Sequence, residues 1–106
     1  AGFFKPHKPF VFPQELLHRM PALADVRLPA NAGPAQRMGA MANIAELCAL
    51  KSGPSRHFCE RDTIRTYHAA ASFTDSLLGS LLHDLGQRQL EQTTLVVVMS
   101  DHGFAL

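Results

Sequence analysis

Between Asp62 and Leu85 the apolar residues Ile64, Tyr67, Ala71, Leu78, Leu81, Leu82 and Leu85 recur at three- and four-residue spacing, and beyond a polar connection comes the run Leu95-Val96-Val97-Val98-Met99. These two features constrain the fold more than anything else in the chain. The first spacing gathers side chains into one stripe, so a helix is predicted over 62–85 with that stripe turned to a core. Gly86 is predicted to stop it, because glycine takes a left-handed conformation past a helix end without a Cβ penalty. The second run does not alternate, which is the pattern of a strand covered on both faces. Helix, short loop and buried strand make an α/β crossover feeding a parallel or mixed sheet.

Ligands of such sheets bind outside the carboxyl ends of the strands. The predicted strand ends in Ser100-Asp101-His102-Gly103. A carboxylate oxygen and an imidazole nitrogen can ligate a divalent cation, and glycine lets the backbone turn away to leave room for a ligand. The same residue types are frequent in ordinary turns. On these residues alone both readings stand.

At the other end, GFFKPHKPFVFP carries prolines at 6, 9 and 13, which forbid a helix and force extended or turn conformations before them. Lys5, His7 and Lys8 are held in this stiffened loop. Cationic donors fixed at low entropic cost suit an oxyanion such as sulfate or phosphate; a solvated basic loop is the plain alternative. Gln14 to Met20 reads as at most two helical turns before Pro21. From Pro21 to Pro54 the pattern dissolves into Ala, Gly, Pro and Asn, with a helical stretch suggested around Met41 to Leu50.

The chain has 106 residues, enough for one small domain, and 46% of them are hydrophobic, enough for a core. With no initiator Met and no signal-peptide pattern, and with Leu106 close behind the Asp-His pair, residues 1–106 are expected to be an internal piece of one catalytic domain, incomplete at both ends. Ten Lys and Arg against nine Asp and Glu give no electrostatic footprint for nucleic acid or an anionic membrane. No apolar run reaches the length of a bilayer span. Cys48 and Cys59 could pair across a short loop, but are read as free or structural thiols, and two cysteines do not reveal a redox compartment.

The order GFFKPHKPF, a long loop, TYHAAASFTDSLLGSLLHDL and TTLVVVMSDHGFAL resembles the type I, formylglycine-dependent sulfatases, and among them most the iduronate-2-sulfatase group. The resemblance covers nearly the whole chain and is weak between Pro21 and Phe58. It implies an alkaline-phosphatase-like α/β core, a mixed and mostly parallel sheet flanked by helices. By resemblance Asp101 and His102 lie at a Ca²⁺ site, while Lys5 and His7 line the sulfate pocket, His7 with a catalytic role. The implied reaction is hydrolysis of a sulfate ester, of a small molecule or a sulfated sugar of a glycosaminoglycan, by a formylglycine hydrate formed outside these residues. Location in the secretory pathway, lysosome, periplasm or extracellular space is implied by the family alone. Tyr67, Asp75 and Gly79 match helix positions and are read as packing and capping. The chain departs from its close relatives at Phe4, where they often carry His, which would alter the pocket rim.

Two alternatives accompany this reading. One is a phosphatase, phosphodiesterase or phosphonate hydrolase of the same superfamily, with two transition metals more often than one Ca²⁺. The other is a catalytically dead relative that binds sulfated glycans. Ser52-Gly53-Pro54-Ser55-Arg56 fits the serine form of the nucleophile signature, yet it falls in the loop before the long helix and is read as a turn. His68 and His83 are read as surface or helix-end residues. His57 with Cys48 and Cys59 fits no standard zinc spacing.

Overall fold

The computed structural model describes residues 1–28, 48 and 52–103. A short helix, α1 (Gln14–His18), and a single 3-10 turn (Leu23–Asp25) pack on a long helix, α2 (Gly53–Gln87). Pro13 precedes α1 with extended backbone, and the helix closes with Arg19 N–H donating to Leu16 O and Met20 N–H to Leu17 O, both at 3.2 Å. The link to α2 is polar as well as apolar: Arg65 donates to the Leu17 carbonyl at 3.1 Å. The small core gathers Val26, Cys48, Ile64, Ala69 and Ala70.

The long helix starts well before the predicted Asp62. Ser52 is extended, Gly53 turns the chain at φ +54°, and Pro54 occupies the first turn, where its missing N–H costs no intrahelical bond. The Ser-Gly-Pro sequence predicted as a plain turn is therefore a helix start. Buried Glu60 staples the opening turns, accepting from Arg56 Nε at 2.8 Å and lying 3.4 Å from His57 Nδ1. Polar residues dominate here, so no apolar stripe betrayed the helix.

The other end also differs from expectation. Gly86 lies inside α2, and the left-handed residue is Gln89, at φ 56°. Leu90 N–H donates to Leu85 O at 3.1 Å and Gln89 N–H to Gly86 O at 2.9 Å, the two bonds of a Schellman motif. A Cβ on Gly86 would meet Glu91 Oε2 at 3.3 Å, so the glycine gives room to a returning side chain rather than to a turn.

Leu95–Met99 was expected as a buried strand. Among the described residues there is no strand, and Leu95 is 89% exposed. A strand exists through ladder hydrogen bonds to a neighbour, and none of the described residues pairs with this run. The helical part of the predicted crossover is thus present, and no sheet is formed among the described residues. Phe104 to Leu106, and the suggested helical stretch near Met41–Leu50 apart from Cys48, lie outside the described residues.

Cys48 and Cys59 are not free thiols. Their sulfurs are bonded at 2.06 Å, with Cα atoms 5.8 Å apart. The early start of α2 places Cys59 within its opening turns, where it is bonded to Cys48. A sulfur committed to a disulfide is not a thiolate ligand, so the zinc reading loses both of its cysteines. No described helix is long and apolar enough to cross a membrane.

Candidate functional site

A groove of about 900 Å³ runs along α2. Tyr67, Thr74, Leu78, Leu81, Leu82 and Leu85 contribute from the helix, residues 1–7 from one flank and residues 94–103 from the other. Most of the predicted core stripe thus faces this groove. Lys5, His7, Asp101 and His102, singled out at opposite ends of the chain, all line it.

Each group is fixed by local chemistry. In the proline loop the Lys5-Pro6 and Lys8-Pro9 peptides are cis, and His7 N–H donates to Phe4 O at 3.2 Å, closing a turn. The Lys5 ammonium donates to His7 O at 3.3 Å and to Pro9 O. An ammonium has three donors, so one remains for an external acceptor. His7 Nδ1 lies 2.6 Å from Lys8 O. A carbonyl only accepts, so Nδ1 carries the hydrogen in that pair and Nε2 of the neutral ring offers a lone pair.

The opposite flank repeats the device. Ser100 Oγ donates to His102 O at 2.7 Å, and His102 N–H donates to Asp101 Oδ1 at 2.9 Å, a turn tied by its own side chains. His102 Nδ1 lies 3.2 Å from Gly103 O, leaving Nε2 available 3.7 Å from Asp101 Oδ2. The turn reading and the site reading of this cluster are therefore compatible: the turn is what orients the two donors.

The pair fits part of a cation site. A metal-binding imidazole commonly donates its other N–H to a backbone carbonyl, as His102 does to Gly103. Neighbouring ligands bound at calcium distances stand roughly 3–4 Å apart, which matches the Oδ2 to Nε2 separation. Among the described residues no group of three or more His, Cys, Asp or Glu is placed to hold a metal, so further oxygen ligands would have to come from elsewhere.

Tyr67, read as a packing residue, packs as expected and also lines the groove. Its ring meets Phe10 edge-on, with centroids 5.8 Å apart, and its hydroxyl lies 3.8 Å from where a Cβ on Gly103 would stand. A tyrosine in an otherwise aliphatic stripe was the available signal. Ser52 does not join the groove. Gly53 and Pro54 line a separate cavity of about 730 Å³ with Leu23, Ala24, His57, Phe58 and Arg61, and at 1.5 Å per residue Ser52 lies roughly 20 Å along the helix from Tyr67. His68 and His83 are exposed, and neither lines the groove.

The Lys-Pro-His loop and the Asp-His turn thus line one groove. A family model described as Sulfatase matches residues 3–106, and the chain belongs to the sulfatase family. Among individual proteins, it is similar to iduronate 2-sulfatase of Homo sapiens, 29% identical over 117 aligned positions, and to that of Mus musculus, 28% identical. Both matches cover 100% of this chain and 21% of the relative, so the chain spans about a fifth of the length of the curated relatives it matches. No solved structure matches it.

Proposed function

We propose that this chain is part of the catalytic domain of a sulfate ester hydrolase, acting on a sulfated sugar such as a glycosaminoglycan unit. The observation that carries the reading is the single groove joining the Lys-Pro-His loop to the Asp-His turn. A sulfate ester presents anionic oxygens. The remaining Lys5 donor would bind one of them, and His7, within the same flank, would hold or pass a proton through Nε2. Asp101 and His102 would hold Ca²⁺ through Oδ2 and Nε2, and a bound Ca²⁺ would withdraw charge from the sulfate oxygens. The covalent nucleophile, a formylglycine, would be supplied from outside these residues. The alkaline-phosphatase-like α/β sheet would likewise need partners for Leu95–Met99 beyond the described residues. The Cys48–Cys59 disulfide supports an oxidising compartment, secretory, lysosomal or periplasmic.

The test uses the full-length protein with an aryl sulfate and the matching aryl phosphate, before and after calcium removal. Sulfate turnover that needs calcium supports the reading. Preference for the phosphate with bound transition metals would make it a phosphatase of the same superfamily. No turnover, with retained binding of a sulfated glycan, would make it a binding relative.

A further inference from the structure

The two flanks of the groove come from opposite ends of the chain, and their separation decides whether one substrate can touch both. Tyr67 stands between them. On one side its ring packs against Phe10, centroids 5.8 Å apart at an angle of 72°. Phe10 follows Pro9, whose carbonyl accepts from the Lys5 ammonium. On the other side the Tyr67 hydroxyl lies beside Gly103, where an added Cβ would be in ordinary contact at 3.8 Å. The Gly103 carbonyl is the acceptor that orients the His102 ring, 3.2 Å from Nδ1. Tyr67 thus connects to Lys5 through Phe10 and Pro9 and to His102 through Gly103, and it is carried on α2, the longest element among the described residues.

We infer that Tyr67 is the positioning residue that sets the span between the Lys5–His7 flank and the Asp101–His102 flank. The inference rests on the proposed reading of those flanks as one sulfate site. Neither contact requires Tyr67 to meet the substrate. The aromatic ring registers the proline loop on α2 by edge-to-face packing, which has a preferred geometry that an aliphatic side chain lacks. The hydroxyl extends that register to the backbone beside His102. An aliphatic residue would fill the stripe equally well and would serve neither purpose. The stripe's other members along the groove are Leu78, Leu81, Leu82 and Leu85, and the one aromatic member is the residue whose ring meets Phe10 and whose hydroxyl lies beside Gly103.

The experiment compares full-length Tyr67→Phe and Tyr67→Leu with the parent, by amide hydrogen exchange and by aryl sulfate turnover. Tyr67→Leu should speed exchange at His7 and His102 together, leave the α2 amides near Ile64 unchanged, and lower kcat/KM by about 10², the scale of a 1 Å misplacement. The loss should fall mainly on kcat, with the fraction of active enzyme unchanged by titration. Tyr67→Phe should speed exchange at His102 alone and keep the Phe10 register. Unchanged exchange at both histidines in either folded variant would overturn the inference, as would a Tyr67→Leu loss explained entirely by a smaller active fraction. Should Tyr67→Leu fail to fold, the His102 exchange rate in Tyr67→Phe decides. If the parent hydrolyses no sulfate ester, the functional reading fails by itself, while the exchange rates still judge the role of Tyr67.

Discussion

Phe4 stacks on His7, with ring centroids 4.5 Å apart and planes inclined by 34°, and the Lys5 ammonium lies 5.8 Å from the same Phe4 ring. Phe4 is 70% exposed, so its ring is shared between the groove rim and solvent. An aromatic contact of this kind contributes about 1 kcal/mol. Phe4→Ala should leave the melting temperature unchanged and lower kcat/KM of the full-length enzyme roughly fivefold, the rate equivalent of that energy. An unchanged value would show that the stack does not hold His7.

His7 itself should matter more. Its Nδ1 is engaged by Lys8 O at 2.6 Å, so only Nε2 faces outward chemistry. His7→Ala should lower kcat/KM by about 10² or more, the scale of losing one positioned proton-transfer group. His7→Gln keeps a donor without the titratable ring. Partial recovery in Gln would assign hydrogen bonding to His7, and none would assign proton transfer. Wild-type rates in both variants would remove the loop from the sulfate pocket.

The proline loop and the Asp-His turn were legible in the sequence because they rest on local motifs. Prolines at 6 and 9 announce a fixed loop, and Ser-Asp-His-Gly announces a tied turn, whatever surrounds them. The stripe from Tyr67 to Leu85 likewise marked the middle of α2. The helix start was hidden because Ser55, Arg56, His57, Glu60 and Arg61 carry no apolar period, and its stability comes from the Glu60 staple. The disulfide was hidden because pairing depends on where that start falls. Leu95–Met99 shows the reverse problem. Composition reports what a segment needs, a covered sheet position, and the described residues do not supply it.

That exposure has a consequence for the 106 residues taken alone. Leu95, Val97, Val98 and Met99 are all more than half exposed in an unpaired run, which is a template for strand addition between chains. The isolated polypeptide should self-associate on sedimentation. Val97→Lys should reduce the association, since an edge lysine opposes pairing. A soluble monomer with a cooperative thermal transition would contradict this account.

The disulfide closes a loop of eleven residues in sequence separation. On chain-entropy grounds its loss should cost about 3 kcal/mol. Cys48→Ser with Cys59→Ser in the full-length protein should therefore lower the denaturant midpoint. The two cysteines lie at the end of α2 away from the groove, so aryl sulfate kcat/KM of the folded fraction should stay within about twofold, a difference well below one tenfold step in rate. A loss of kcat/KM in the folded enzyme would connect the start of α2 to the site in a way the present contacts do not.

Asp101 offers the most direct test of the metal assignment. Its carboxylate is 89% exposed; Oδ1 accepts the His102 N–H, while Oδ2 points to the same space as His102 Nε2. As a plain turn residue, Asp101 would act through Oδ1 alone, and Asn would replace it with little loss, since an amide oxygen accepts the same backbone bond. As a calcium ligand it contributes anionic charge, which Asn lacks. Asp101→Asn therefore separates the roles better than Ala, because the turn is kept. In the full-length enzyme, bound calcium and aryl sulfate turnover should fall together in Asp101→Asn, and raising calcium should restore part of the turnover. His102→Gln should weaken calcium retention in the same direction while leaving the Asp101 turn intact. Wild-type calcium content and turnover in Asp101→Asn would return the cluster to the status of a turn, and a fall in turnover with calcium fully retained would place Asp101 beside the substrate instead of the metal.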